Sequence, residues 1–341
     1  MVPLRAFRKI LVVLAVALAS AAVAAFLPDD PYQRWQLLDG TIHANARWIY
    51  ERIHFDPKPI DVVFLGPSRM GAGVNAPRLA QALEARGLPS NVVNFSLPET
   101  GRNINWAVAE QLFAAKKPKL LVLGVIEKPS RYGHSAYKYL ARRRDIVDPG
   151  YLADVNYVSD LIYLPFRQMR LFGAGWFPDA FGLARRFDPA RYRGPSVDTT
   201  GSLVLPDGHV KDGENPASHD ELVRGVRKLE GGNHPPFLPA SLADVEFGDE
   251  RHYVRKIAEM AQKNGVRVAF VFLPYYTGPS ALADVQERTL YERYGPVLNA
   301  GFLSTHAEWY ADYGHLTRHG AEVLTDWLVG PVAQWLGEAG T

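Results

Sequence analysis

Two distant fragments of the chain carry side chains that could together perform nucleophilic acyl chemistry. Near the start, the apolar run DVVFL breaks into the turn GPSRMGAG, which places Ser68 just past the end of a predicted strand. Near the other end, the stretch ADYGHLTRHG carries Asp312 and His315 three residues apart. An imidazole oriented by a carboxylate can take the proton of a serine hydroxyl, which makes the hydroxyl oxygen a nucleophile. The pattern therefore predicts a triad of Ser68, His315 and Asp312.

Each fragment also has an ordinary structural explanation. Pro67 fixes a turn, and a serine after it can cap the next helix, although its own N–H can also face an anion site at the helix start. The turn differs from the G-x-S-x-G turn of α/β-hydrolases because position 70 is Met. A single D-x-x-H is common by chance, and His319 is a competing base whose spacing suits a helix surface. Finding both fragments, one after the first strand and one before the last helix, favours the triad.

The elements that must position these side chains alternate between apolar strands and helices. Strands are predicted at 60–65, 90–95, 120–126 and 266–274, and helices at 76–86, 104–115, 252–265, 281–294 and 320–335. Continuous apolar strands separated by helices predict a parallel sheet that is covered on both faces. The fold class is therefore α/β with a doubly wound, mainly parallel sheet. Ligands bind such sheets at the carboxyl ends of the strands, where we expect Ser68, Gly101, Glu127 and Tyr275.

The stretch from about 128 to 245 interrupts this alternation. It is rich in Arg, Tyr, Pro and Gly and has no strong periodicity, so we predict an insertion or cap over the sheet edge rather than a second independent domain. A structureless loop of this length is uncommon in a compact domain, so the insertion should contain helices. The predicted organisation is an N-terminal apolar segment (1–28), a linker with a helical stretch (29–59) and one α/β domain (60–338).

The N-terminal segment has the pattern of an export signal. Arg5, Arg8 and Lys9 precede an uncharged apolar run from Ile10 to Leu27. The run is long enough to span a bilayer, which takes roughly 17 to 25 residues. It exceeds the usual signal-peptide core of about 7 to 15 residues. The pattern favours an uncleaved single-pass anchor; cleavage near Ala22-Val23-Ala24 and a buried helix of a soluble protein are the alternatives.

The composition excludes several classes of site. The chain contains no cysteine, which excludes disulfides, thiolate metal sites and a cysteine nucleophile. The formal net charge of +2 gives no reason to expect nucleic acid as a partner. The sequence shows no metal-ligand cluster, P-loop or dinucleotide fingerprint, so we predict neither a metal nor a cofactor.

On these residues, the chain resembles the SGNH (GDSL-like) hydrolase family over about 60–145 and 245–335. The family's nucleophile block matches Gly66-Pro67-Ser68, with Pro in place of the usual Asp. Its second block, a glycine whose N–H helps to form the oxyanion hole, matches Gly101. Its last block matches Asp312, His315, Leu316 and Gly320. The resemblance implies a flavodoxin-like three-layer fold and an acyl-enzyme on Ser68.

The third block of the family, normally G-x-N-D, is where the chain departs from the pattern. After the third predicted strand the sequence reads GVIEKPSR and contains no asparagine. An oxyanion donor is therefore missing from its expected place, and we predict that Arg102, Asn103 or Asn105 substitutes for it. Helix capping is an equally good explanation for the two asparagines.

With its N-terminal anchor, the chain resembles the membrane-attached SGNH-like proteins of bacterial envelopes. These include proteins that acetylate alginate and other exopolysaccharides and the protein that handles D-alanine on teichoic acid. The resemblance implies hydrolysis or transfer of a small O-linked acyl group on a polysaccharide, with a membrane-bound acyltransferase as a possible partner. It implies a single pass through the bacterial inner membrane, with the catalytic domain in the periplasm or outside the cell. The alternative is an inactive scaffold of this fold that binds polysaccharide or the acyltransferase.

The insertion and the last strands offer weaker indications of substrate. Aromatic residues mixed with arginines suit a groove for an anionic sugar chain, although core packing and solvated surface more often explain them: Tyr132, Tyr137, Trp176, Arg185 and Arg186. Tyr275 and Tyr276, after the fourth predicted strand, are expected nearer the site. For Glu127, an ion pair with a nearby Lys or Arg is favoured over ligand binding.

Overall fold

The computed structural model describes residues 4–127, 129, 131–146, 148–152, 154–204 and 210–337. Its strands are β1 (Val62–Leu65), β2 (Val92–Asn94), β3 (Leu120–Gly124), β4 (Ser202–Val204), β5 (Val210–Asp212), β6 (Arg267–Phe272) and β7 (Val297–Asn299). Five of them form one sheet in the order β2-β1-β3-β6-β7, and every neighbouring pair is parallel. The strands β4 and β5 form a separate antiparallel pair.

The α-helices of the described residues are α1 (Leu4–Ala25), α2 (Pro31–Trp35), α3 (Asn45–His54), α4 (Ser68–Gly73), α5 (Ala76–Glu84), α6 (Arg102–Ala115), α7 (Tyr137–Leu140), α8 (Arg143–Ile146), α9 (Pro149–Leu152), α10 (Tyr157–Trp176), α11 (Pro178–Phe181), α12 (His219–Glu230), α13 (Ala243–Glu246), α14 (Gly248–Lys263), α15 (Val285–Glu292) and α16 (Arg318–Gly337). The insertion contributes α7 to α13 and the β4–β5 pair, so the expectation that it contains helices is confirmed. The domain boundaries themselves stay a prediction.

Helices cover both faces of the five-stranded sheet, which explains why its strands are mostly apolar. Along β1, Val63 and Leu65 pack into one core with α3, α6 and α14, whereas Val62 and Phe64 pack into a second core with α5 and α16. Successive side chains of a strand point to opposite faces, so both sets must be apolar when both faces are buried. Numbered along the chain, the sheet has the order 2-1-3-4-5, a common doubly wound order. The predicted α/β class and parallel sheet are confirmed.

The largest departures from the predicted elements are β7 and α4. The edge strand β7 has three residues and half-buried side chains, so it lacks the apolar run by which the other strands were recognised. The helix α4 begins at Ser68 itself and includes the two glycines that were predicted to precede a helix. The other predicted strands lie within two residues of those observed.

The N-terminal helix is long and apolar enough to cross a membrane. Residues Ala6–Ala25 of α1 have a mean hydropathy of 2.1, and of these residues only Ala24, near the end of the helix, is buried. A helix of this composition would be expected inside the core of a soluble domain. The alternative of a buried helix therefore does not fit the structure.

Candidate active site

Ser68 lies at the junction between β1 and α4, on the carboxyl-terminal side of the sheet. Pro67 is extended and precedes the helix, and its carbonyl accepts hydrogen bonds from the N–H groups of Met70 and Gly71 at 3.0 and 3.1 Å. A Cβ at Gly66 would meet Met70 Cβ at 2.8 Å, so this tight junction requires glycine. Because Ser68 is the first helical residue, its own N–H has no partner within the helix.

Asp312 and His315 belong to a loop that is closed by its own hydrogen bonds. A bridge between Tyr310 and Leu316 holds the ends of the loop together. The backbone N–H groups of Gly314 and His315 donate to Asp312 Oδ1 at 2.8 and 2.9 Å. The D-x-x-H motif is therefore a local turn, and its backbone N–H groups hold the Asp312 carboxylate in place beside the imidazole.

The fold brings Ser68 to this loop across 247 positions of sequence. His315 Nε2 lies 2.7 Å from Ser68 Oγ, and His315 Nδ1 lies 2.9 Å from both oxygens of Asp312. An ionised carboxylate only accepts hydrogen bonds, so Nδ1 carries the proton and Nε2 is free to accept the proton of the serine hydroxyl. The three side chains have the geometry of a nucleophile, a base and an orienting acid.

The charge of Asp312 is stabilised within this loop. Burial by itself raises the pKa of its carboxyl, but the hydrogen bond from the His315 ring, the attraction of that ring and the two backbone N–H donors lower the pKa to about 2. The carboxylate is therefore ionised at neutral pH. An ionised acceptor holds the imidazole in one tautomer and stabilises the imidazolium that forms during proton transfer.

Ser68 and His315 open onto a pocket of about 350 Å³. Its other lining residues come from the ends of β1 and β3, from the C-terminal loop and from the insertion: Pro67, Arg69, Thr100, Val125, Ile126, Glu127, Leu229, His234, Tyr313 and Gly314. The sequence did not single out Arg69, Thr100, Leu229, His234 or Tyr313. Available signals were the position of Arg69 directly after the nucleophile and the helical spacing of Leu229 with Leu222 and Val226 on α12; His234 follows that helix without a pattern of its own.

A charged pair lies in the pocket beside the serine. Arg69 Nη1 donates to Glu127 Oε1 at 2.6 Å and to the Leu273 carbonyl at 3.3 Å. The predicted ion pair of Glu127 with a nearby basic residue is thus confirmed. The Arg69 guanidinium also lies 5.7 Å from the ring centre of Tyr275, whose hydroxyl donates to Glu230 at 3.1 Å. Tyr275 therefore touches the site through Arg69.

The prediction that Arg102, Asn103 or Asn105 supplies a side-chain oxyanion donor is corrected by the structure. All three residues are buried on α6, and none of them lines the pocket. Arg102 donates to Glu250 Oε1 and to the Gly124 carbonyl, each at 2.7 Å, and to Asn105 at 3.1 Å. The guanidinium is fully engaged in contacts between α6, α14 and the end of β3.

The capping explanation for the two asparagines is also wrong. The backbone N–H groups of Arg102 and Asn103 donate instead to the carboxyl of Asp249 on α14, at 2.6 and 3.3 Å. The Asn103 side chain accepts from the N–H of His134 at 2.9 Å. Gly101, which precedes the helix, has φ +135°, and a Cβ there would meet His134 N at 2.2 Å. Gly101 is buried, and its neighbour Thr100 lines the pocket.

The remaining predicted residues lie outside the pocket. His319 is an exposed side chain on α16, 4.0 Å from Glu322, so it does not compete with His315 as a base. Tyr137 is fully buried and cannot line a sugar groove. The other members of the predicted groove are exposed at positions away from the pocket lining: Tyr132, Trp176, Arg185 and Arg186.

The structure brings together three potential metal ligands that the sequence analysis did not connect. The ligand atoms of His43, Glu99 and His134 all lie within 4.8 Å of one another. However, His134 Nδ1 accepts from the N–H of Ala136 at 3.1 Å, and its Nε2 lies against the Pro98 carbonyl. A neutral imidazole has one donor and one acceptor nitrogen. Both nitrogens of His134 are engaged, so the donor set does not fit a metal ion.

No protein-family model matches the chain, and no curated protein matches it. The case for a functional site therefore rests on the geometry of Ser68, His315 and Asp312 and on the pocket beside them.

Proposed function

We propose that the protein is an acyl esterase or O-acyltransferase with Ser68 as the nucleophile. The observation that carries the proposal is the continuous set of hydrogen bonds from Ser68 Oγ through His315 to Asp312, at 2.7 and 2.9 Å. Such a set, open to a pocket, can activate a hydroxyl that is otherwise a weak nucleophile. The resemblance to the SGNH hydrolases supports the same assignment.

The proposed reaction has two halves. His315 Nε2 takes the hydroxyl proton as Ser68 Oγ attacks the ester carbonyl, and it returns that proton to the leaving alcohol as the acyl-enzyme forms. In the second half, His315 takes a proton from water or from a sugar hydroxyl, whose oxygen attacks the acyl-enzyme. Collapse of the second intermediate releases the acid or the new ester and returns the proton to Ser68. Asp312 stays ionised throughout and orients the ring.

Negative charge develops on the carbonyl oxygen in both halves and needs donors within the pocket. The N–H of Ser68, at the first position of α4, is one proposed donor, and Gly101 next to Thr100 is a second. We propose Arg69 as the group that stands in for the absent third-block asparagine. Its Nη1 is held by Glu127 and Leu273, and its Nε and Nη2 lie 3.3 and 3.6 Å from the point that a Cβ on the pocket residue Gly314 would occupy.

The proposed substrate is a small acyl group, such as acetyl, carried on an envelope or exported polysaccharide. A pocket of about 350 Å³ suits a short acyl chain. We propose that α1 anchors the chain in the bacterial inner membrane, with the α/β domain in the periplasm or outside the cell. A membrane-bound acyltransferase would then be the natural acyl donor. Protease added to spheroplasts should degrade the domain if this orientation is right.

Acetyl release from a nitrophenyl ester tests the activity, using the full chain in detergent. The wild type should release nitrophenol, and Ser68→Ala should not. A fluorophosphonate probe should label Ser68 in the wild type, which reports an activated serine even when the physiological acceptor is absent. Ser304→Ala is a matched control, because this buried hydroxyl donates to the Gly301 carbonyl at 2.9 Å and does not line the pocket.

The competing proposal is a catalytically inactive scaffold that binds polysaccharide or a membrane partner. The departure at the third block favours it, because Glu127 and Arg69 occupy the region where the family has an asparagine. Binding of an acylated glycan, combined with no fluorophosphonate labelling of Ser68 and no acetyl release or transfer, would establish the scaffold and reject the enzyme.

A further inference from the structure

The helix α10 in the insertion has its apolar side turned outward. Large apolar side chains at intervals of three or four residues form one exposed stripe along it: Val158, Ile162, Phe166, Met169, Phe172 and Trp176. Ile162 is 62% exposed, Phe166 60% and Trp176 68%. A helix on the surface of a water-soluble domain normally directs its apolar stripe toward the core. We define these six residues as the α10 stripe.

The opposite side of α10 is buried and carries both apolar side chains, such as Leu164 and Leu171, and polar ones. Asp160, Arg167 and Gln168 are buried. Arg167 Nη1 donates to the Lys138 carbonyl at 2.7 Å, and Gln168 Nε2 donates to the Leu27 carbonyl at 2.8 Å. Rotating α10 to bury its apolar stripe would break these bonds and turn Leu164 and Leu171 out of the core. The outward direction of the α10 stripe is therefore built into the packing.

The position of α10 connects the stripe to the N-terminal apolar helix. α10 packs beside α1, and the bond from Gln168 to Leu27 joins the middle of α10 to the end of that helix. The bond from Gln33 Nε2 to the Ala174 carbonyl, at 3.3 Å, continues the contact. Since α1 is also apolar and unburied, the two neighbouring helices present apolar surface next to each other.

The chain that follows the stripe has the composition of a membrane interface. Phe177 and Phe181 are exposed directly after Trp176. Arg185 and Arg186 are exposed a few residues later, and neither forms an ion pair with the described residues. Aromatic rings concentrate at the level of lipid headgroups, and basic side chains are attracted to anionic lipids there.

We propose that the α10 stripe lies in the interface of the bilayer that α1 enters, with Arg185 and Arg186 at the headgroups of anionic lipids. The hydrogen bonds of Arg167 and Gln168 hold the inner side of α10 against the domain, so that its apolar side faces the lipid, as in interfacial amphipathic helices. Lipid is favoured over a protein partner because the stripe adjoins a lipid-spanning helix and ends in basic residues. The α/β domain is then held in one orientation on the membrane. The inference goes beyond the proposed function and does not depend on the reactivity of Ser68.

Single spin labels on the full chain test this proposal, because the chain has no native cysteine. Ile162→Cys and Met169→Cys place a label on the stripe, and Val285→Cys on α15 is the control at another exposed apolar residue. Each protein is reconstituted into nanodiscs of phosphatidylethanolamine and phosphatidylglycerol. Collisions of the label are measured with oxygen, which concentrates in lipid, and with a nickel complex, which stays in water. Oxygen should dominate at positions 162 and 169, and nickel at position 285.

Two results would overturn the proposal. Nickel access at positions 162 and 169 equal to that at 285 would show that the stripe faces water. Shielding from both reagents would show that a second copy or a partner protein covers it. Should the cysteine variants fail to fold, as judged by thermal unfolding, tryptophan fluorescence in nanodiscs of brominated lipid gives a second measurement. Trp176→Phe should be quenched less than the wild type, and equal quenching would contradict lipid contact.

Discussion

At the carboxyl ends of β1 and β3, the described residues form two polar clusters of opposite design. In the first, Ser68, His315 and Asp312 share hydrogen bonds of 2.7 to 2.9 Å and open onto a pocket. In the second, Arg102 and Glu250 are joined at 2.7 Å and are fully closed off from solvent. Both clusters have short, charge-assisted bonds, so bond quality does not distinguish them. What distinguishes them is whether a reactive atom faces a pocket where a ligand can reach it.

In the closed cluster, the residues stabilise one another's protonation states. Burial disfavours the Arg102 cation, but the attraction of Glu250 outweighs burial and raises the pKa of the guanidinium. Burial and the bond to Glu250 raise the pKa of Tyr291. Arg102 therefore stays a cation and Tyr291 stays neutral at neutral pH, and neither residue lines the pocket in which a substrate could exchange protons with it. In the open cluster, in contrast, the base His315 contacts the hydroxyl of Ser68, and both residues line the pocket.

Ser68→Ala gives the largest expected effect. Unchanged activity in this variant would contradict the distinction between an open, catalytic cluster and a closed, structural one. The acyl acceptor is removed, so kcat should fall about 10⁴- to 10⁶-fold. The free energy of unfolding should change by less than about 0.5 kcal/mol, because no buried structure is lost. Ester hydrolysis and urea denaturation of the same preparations measure both quantities. A large loss of stability would show that Ser68 has a structural role, as the residues of the closed cluster do.

Asp312→Asn should lower kcat about 10³- to 10⁴-fold, because an amide does not hold His315 in the required tautomer. It should also remove a pH-dependent part of the stability. The carboxyl has its pKa lowered from 3.8 to about 2 by its bonds to His315 and the loop. This stabilisation, roughly 2 kcal/mol, is present above about pH 4 and lost as the pH falls toward 2. Denaturation from pH 7 to pH 2 should show the variant and the wild type converging; a constant difference would contradict it.

Glu250→Gln tests the closed cluster and should affect stability alone. It leaves the buried Arg102 cation without its counter-charge, which should cost about 3 to 5 kcal/mol of unfolding free energy. The kcat of the folded protein, assayed below its melting temperature, should stay near the wild-type value. The double variant Arg102→Met with Glu250→Leu should recover most of the stability. A loss of kcat without a loss of stability would show that this cluster is part of the active site.

Among the substitutions in the pocket, Arg69→Met has the smallest expected effect on kcat, and it tests whether Arg69 belongs to the open cluster. If Arg69 stabilises the oxyanion, kcat should fall about 10²- to 10³-fold. Arg69→Lys should recover part of the rate, because the charge returns without the same donor geometry. Glu127→Gln is the control for the ion pair alone, which as a partly exposed pair contributes at most about 1 kcal/mol. Equal kcat in wild type and Arg69→Met would leave the backbone donors to stabilise the oxyanion.

The predictions that succeeded concern residues whose role is set by near neighbours in sequence. The D-x-x-H turn is closed by bonds within four residues, and the break of β1 at Gly66 and Pro67 is local. The strands were readable because each strand of the main sheet except β7 is a run of mostly apolar, buried residues.

The predictions that failed depended on distant contacts. Arg102 follows a strand end as expected, but Asp249 and Glu250, almost 150 positions away, draw its backbone and side chain into the α6–α14 contact. Leu229 of the pocket wall lies on α12, where Ser218 and the helical spacing of Leu222, Val226 and Leu229 were a local signal, but only the tertiary structure places this helix beside the serine.

The sequence by itself determined the α/β alternation, the apolar N-terminal helix and the two fragments with the chemistry of a triad. These features are encoded by residues within one turn or one strand of each other. Only the tertiary structure decided that Ser68 meets His315, that Arg102 does not, and that the α10 stripe faces outward. Each of these depends on packing between elements far apart in the chain. The composition of α10 specifies an apolar helix, and the polar side chains fixed beneath it decide which way that helix is turned.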